Sequence, residues 1–159
     1  MKFSLFIFLL AASNASAQLI QQQEMPQWCW AACVQDVEAQ SGIQESQSSI
    51  VSRLYGQPID RGATVAQVAY VLRQVNIHGA FIMRPPMSPL EIVTAFSSSR
   101  KIIALVDPSL GAEGHFVVLE AADPVGNVLV SDPFPPFSQW MPVAAVYQQY
   151  HWIGSVLIR

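Results

Sequence analysis

The chain has 159 residues, about half of them apolar and 12% charged, with 11 acidic residues against 8 basic and a formal net charge of −3. That length gives one domain with a substantial core. No basic run and no alternation of aromatic with basic residues occurs, which excludes nucleic acid as a partner.

In chain order, Met1-Lys2, the apolar run Phe3 to Ala12 and the small-x-small triplet Ala15-Ser16-Ala17 read as a secretory signal peptide over 1–17. The run is too short to span a bilayer comfortably and ends at Ser13-Asn14. A mature domain over 18–159 is expected, exported to the periplasm or the extracellular space and without stable membrane insertion. Losing Lys2 leaves seven basic residues against eleven acidic.

The stretch Gln23 to Cys33, QEMPQWCWAAC, starts as extended polar chain and becomes helix-forming after Pro26. Proline precedes helices but does not sit inside them, so a helix is expected from Cys29 to about Gln40, stopping at Ser41-Gly42. Cys29 then lies at a helix N-terminus, where unpaired N–H groups and the macrodipole favour an anion at sulfur. Gln23, six residues earlier, is placed to fold back and donate its side-chain amide to an oxyanion. Asp36 and Glu38 are expected to face water. Cys33 lies on the same helix face as Cys29; a bridge between them would strain the helix, so it reads as a small core residue, a disulfide being the lesser alternative.

A second helix is expected over Ser46 to Tyr55, ending at Gly56, and a third capped by Thr64 with the stripe Val65, Val68, Leu72 and Val75. Ser88-Pro89-Leu90-Glu91 combines an N-cap, a first-turn proline and a capping-box acid, opening a fourth helix to about Ser97. Strands follow at Lys101 to Val106, His115 to Ala121 and Val128 to Ser131, with turn chemistry at Asp123 to Asn127. Pro133 to Phe137 reads as a loop, Val143 to Gln148 as a short helix, and His151 to Ile158 as a last strand. Helices first and strands later indicate an α+β fold, with helices packed against a mostly antiparallel β-sheet.

His115 opens one predicted strand and Asp132 ends the next, so a hairpin turning near Pro124 to Gly126 brings them into one neighbourhood. Asp132 would accept from one imidazole nitrogen and hold the other toward Cys29. Asp107 and Asp123 are weaker candidates for that carboxylate, and His78 and His151 lack a comparable setting. Trp28 reads as cleft wall and Trp30 as packing.

Gln23, Cys29, Trp30 and Ala31, with WCWAA around the thiol and GHFVVLE and SDP downstream, resemble papain-like cysteine proteases. The resemblance is greatest to the compact bacterial branch, which includes peptidases that process bacteriocin leaders after a double glycine and papain-like effectors of plant pathogens. It implies a papain-like fold with an N-terminal catalytic helix, Cys29 as nucleophile, His115 as general base and acid, Asp132 as its orienter and Gln23 as oxyanion donor. It also implies a peptide or protein substrate and no metal or organic cofactor. Two other readings fit the order Cys, His, Asp: acyl transfer of the transglutaminase type, and an inactive peptide-binding module.

Overall fold

The polar punctuation of the first half closes its helices as expected. In this computed structural model, which describes residues 20–77, 81–83, 89–97, 101–107 and 114–158, α1 spans Cys29–Gln40, α2 Gln47–Tyr55 and α3 Val65–Gln74. The Ser46 hydroxyl accepts from the Ser49 N–H at 3.2 Å, and Gly56 ends α2 at φ 78°, a conformation that costs glycine little. Thr64 and Gln67 form a reciprocal capping box on α3, with Gln67 N–H donating to Thr64 Oγ1 and Thr64 N–H to Gln67 Oε1.

The second half supplies α4 (Pro89–Ser97), α5 (Val143–Tyr150) and six strands: β1 Phe81–Met83, β2 Lys101–Val106, β3 His115–Ala122, β4 Asn127–Pro133, β5 Pro136–Pro142 and β6 Trp152–Ile158. They form one antiparallel sheet in the order β1-β6-β2-β3-β4-β5. Ser88, the expected cap of α4, lies outside the described residues, as does the expected signal peptide.

Two apolar layers sandwich this sheet. On one face α1, α2 and α3 pack on Ile103, Phe116, Val118 and Val156; on the other Ile92 and Ala95 of α4 and Val143 and Val146 of α5 pack on Ile102, Val117, Leu119 and Val130. Both faces are therefore covered, which is why β2 and β3 read as continuous apolar runs rather than alternating ones. Burying each such Ile, Leu or Val contributes about 1.5–3 kcal/mol.

Three expectations need correction. Residues 133–137 are not a loop: Pro133 ends β4 and Pro136 opens β5 across a tight turn, with Asp132 opposite Phe137. β5 is an edge strand, where the missing proline N–H leaves no ladder partner unsatisfied. His151 is not in the last strand but caps α5 in a left-handed conformation, φ 46°. Nor do Asp36 and Glu38 face water; both are buried. Glu38 pairs with Arg53 of α2, while Asp36 lies against Glu120 of β3, so α1 is enclosed on nearly all sides.

Candidate active site

The segment before α1 is held rigidly by polar contacts. Gln47, buried at the start of α2, accepts from the Glu24 N–H through Oε1 at 2.9 Å and donates through Nε2 to the Gln22 carbonyl at 2.9 Å. The Gln23 N–H donates to the Pro133 carbonyl at 3.2 Å, tying the segment to the end of β4. The Gln27 N–H donates to Asp60 Oδ1 at 2.8 Å. The chain turns at Met25, whose carbonyl accepts from the Trp28 N–H at 3.0 Å, and enters α1 with Trp28 as N-cap and Cys29 as the first helical residue. Cys29 is thus at the positive end of the helix dipole.

β3 and β4 bring the other polar groups to this helix end. His115 Nε2 donates to Asp132 Oδ1 at 2.8 Å, and the same oxygen accepts from the Phe134 N–H at 2.8 Å. Cys29, at the first turn of α1, is near enough to the imidazole to favour its charged form. Burial disfavours the charged ring, but the hydrogen bonds and negative charge of Asp132 and Cys29 outweigh it and push the His115 pKa up to about 9. Among the candidates, then, Cys29, His115 and Asp132 come together around one imidazole.

Gln23 and His115 both line a cavity of about 390 Å³ whose walls include Met25, Pro26 and Phe134. The Gln23 amide nitrogen donates to the Met25 and Pro26 carbonyls at 3.0 and 2.8 Å, while its Oε1 is buried without a partner. A second cavity, of about 830 Å³, lies toward Gln27 and Gly114, between Tyr55, Arg61, Val65, Leu105 and Ile153. Gly114 directly precedes His115, so the two cavities flank the histidine.

The weaker candidates are occupied elsewhere. Asp123 accepts from the Val125 and Asn127 N–H groups and shapes the β3–β4 turn, its carboxyl held below its ordinary pKa by the Asn127 backbone. Asp107 meets His151, whose Nδ1 lies 3.1 Å from its carbonyl. His78 lies outside the described residues. Cys33 is a free, buried thiol that burial pushes well above its ordinary pKa. Among the described residues no group of three or more His, Cys, Asp or Glu could hold a metal ion, and no helix is long and apolar enough to cross a membrane.

Sequence reasoning missed what the tryptophans do. Trp28 Nε1 donates to the Ile59 carbonyl at 2.9 Å and Trp30 Nε1 to the Arg61 carbonyl at 3.0 Å, so both residues flanking Cys29 suspend the 59–62 segment beside the larger cavity. The available signal was chemical: a buried indole N–H needs an acceptor.

No family model matches the sequence, and no curated protein matches it either. Solved structures do resemble it. The peptidase domain of Streptococcus ComA, a bifunctional ABC transporter involved in quorum sensing, superposes with a TM-score of 0.63 over 88% of this chain and 97% of that one, at 14% identity. A structure described as a C39-like peptidase from Bacillus anthracis gives 0.70 over 91% and 96%, at 10% identity. The fold is papain-like, of the C39 peptidase type. At such identities the likeness establishes the fold, and chemistry must be argued from this chain's own residues. In this domain those residues are the three around the imidazole and the amide of Gln23.

Proposed function

We propose that the chain is an exported cysteine peptidase that hydrolyses peptide bonds through Cys29, His115 and Asp132, with Gln23 as an oxyanion donor. The single observation that carries this reading is the His115 imidazole, bonded to the Asp132 carboxylate and near enough to Cys29, at the first turn of α1, for that residue to favour its charged form. The C39-type fold supports a peptide as substrate.

The chemistry follows from those groups. With its proton on His115, the Cys29 sulfur attacks the amide carbonyl; a C–S bond forms and the carbonyl π pair moves onto oxygen. The Cys29 N–H, unpaired at the helix start, and the Gln23 amide donate hydrogen bonds to that oxyanion; to do so Gln23 must redirect or share an N–H now donated to the Met25 or Pro26 carbonyl. As the pair returns, the C–N bond breaks and His115 protonates the departing amine. His115 then takes a proton from water, which attacks the thioester; the C–S bond breaks and the acid leaves. Asp132 keeps the ring in the tautomer this sequence needs. Residues 1–17 direct the chain out of the cell and are removed, leaving Gln18 as the first residue; mass spectrometry of exported protein that still contains Met1 to Ala17 would overturn this assignment.

An electrophilic thiol probe tests the reaction itself. Labelling at Cys29 that disappears on unfolding and in His115→Ala is expected. Equal labelling of native and unfolded protein would show that the thiol is not activated.

A further inference from the structure

The larger cavity carries a charge pattern that the hydrolytic chemistry does not use. Its walls are mostly apolar, from Val65, Leu105 and Ile153, and among its described lining residues one is charged, Arg61. The Arg61 guanidinium carbon stands 5.2 Å from the centre of the Tyr55 ring, and Tyr55 is itself fixed by its hydroxyl on the Gly62 carbonyl. Arg61 takes part in none of the ion pairs among the described residues. Its neighbour Asp60 spends Oδ1 on the Gln27 N–H instead. In a chain of net charge −3, an unneutralised cation beside the site is a feature to account for.

The cation is also positioned rather than incidental. The Arg61 carbonyl accepts from Trp30, next to the nucleophile, so the segment that presents the guanidinium is anchored to the catalytic helix. Gly114, which also lines the cavity, packs directly on Leu105: a Cβ there would come within 2.6 Å of Leu105 Cδ1. A cavity of about 830 Å³ far exceeds what a residue without a side chain fills. Its walls suit a side chain with an apolar stem, and its one cation suits an anionic end.

We propose that Arg61 is a specificity-determining residue, and that the cavity beside Gly114 takes an acidic side chain of the peptide, within three residues of the bond cleaved. The identity of the ligand as a peptide rests on the peptidase reading above. A guanidinium–carboxylate contact that is partly withdrawn from water gives discrimination on the order of tenfold over an uncharged isostere. Salt weakens that preference.

Two measurements test this and separate it from the peptidase reading. First, the Cys29→Ala protein is titrated with matched fluorescent peptides carrying Glu, Gln or Lys at each position in turn. Tighter binding of the Glu peptide at one position, by on the order of tenfold over Gln, is expected, with the preference gone in Arg61→Ala and reversed toward Lys in Arg61→Glu. Equal binding of Glu and Gln peptides at every position overturns the proposal, whatever the catalytic outcome. Second, the wild-type protein is offered the same peptides as substrates. Hydrolysis without a Glu preference removes the role of Arg61 and leaves the peptidase reading intact. Arg61-dependent binding without hydrolysis keeps Arg61 as the selector and removes the peptidase reading.

Discussion

His115 and Asp132, 17 positions apart, meet through a 2.8 Å hydrogen bond whose acceptor oxygen is itself fixed by the Phe134 N–H. The carboxylate is therefore aimed before any substrate arrives. It is also a large part of what raises the imidazole pKa against the opposing effect of burial. Because the folded value of about 9 exceeds the ordinary histidine value of 6.5, the protonated ring stabilises the fold fully below pH 6.5, and that contribution is lost as pH rises through 9. Loss of the His115 proton should make hydrolysis fall on an alkaline limb near pH 9. Asp132→Asn should move that limb to lower pH and leave weak activity, whereas His115→Ala should nearly abolish it. A pH–rate profile unchanged in Asp132→Asn would separate the carboxylate from the proposed role of His115.

Cys29→Ala should eliminate hydrolysis and probe labelling, since no other described group forms the acyl-enzyme. Cys33→Ala should keep both. Cys33 is fully enclosed in the core, so the loss of its sulfur should cost about 1 kcal/mol of stability rather than rate. Peptide mapping of the labelled protein, with kinetics of the two variants, distinguishes them; an inactive Cys33→Ala beside an active Cys29→Ala would reverse the assignment.

Gln23→Ala should retain labelling while the rate falls by roughly 10²–10³, the effect of losing one oxyanion donor. Its amide is held by two carbonyls of its own segment, so Gln23→Glu should be at least as damaging. The Glu side chain places a carboxylate against those carbonyls and against the oxyanion. Single-turnover acylation rates measure this directly, and an unaffected rate in Gln23→Ala would remove the side chain from the oxyanion site.

Asp36 and Glu120 form a second acidic relationship, between α1 and β3. Gln40 Nε2 bridges them at 2.6 Å to Asp36 Oδ2 and 3.2 Å to Glu120 Oε2, and Lys101 pairs with Glu120. Burial, with the negative charge of Glu120, pushes the Asp36 pKa from 3.8 up to about 8. A protonated Asp36 also offers a donor to Glu120, whose Oε1 is otherwise buried without a partner. The raised value means that this stabilisation is complete below pH 3.8 and is lost as pH rises to 8. Thermal melts should therefore show Asp36→Asn close to wild type at pH 3.8 and below, and progressively more stable than wild type from there toward pH 8. Parallel melting curves across that range would show that Asp36 is ionised in the folded state.

Helix boundaries were legible because their signals are local: Ser46, Gly56 and the Thr64–Gln67 box act within one turn of themselves. The same holds for Cys29, which Pro26 and the following helix formers set at the first turn of α1. The hairpin that joins His115 to Asp132 was readable from two apolar runs and the Asp123-to-Asn127 turn. β5 was not, because prolines at both its ends imitate a loop and only its position at the sheet edge makes them tolerable.

Charge and polar partnership were decided by tertiary structure. Nothing near Asp36 or Glu38 in sequence announces that α1 is enclosed by α2, α3 and the sheet, so their periodicity imitates a solvated face. The 59–62 segment gives no sequence sign of bordering the site; it does so because Trp28 and Trp30, once buried, need acceptors for their indole N–H groups and find them there. Sequence by itself determined which groups are candidates to react, since a thiol, an imidazole, a carboxylate and an amide carry their chemistry wherever they are placed. Only the packing of α1 on the sheet decided their separations, their protonation and the shape of the cavities beside them, because those depend on long-range burial that no local pattern encodes.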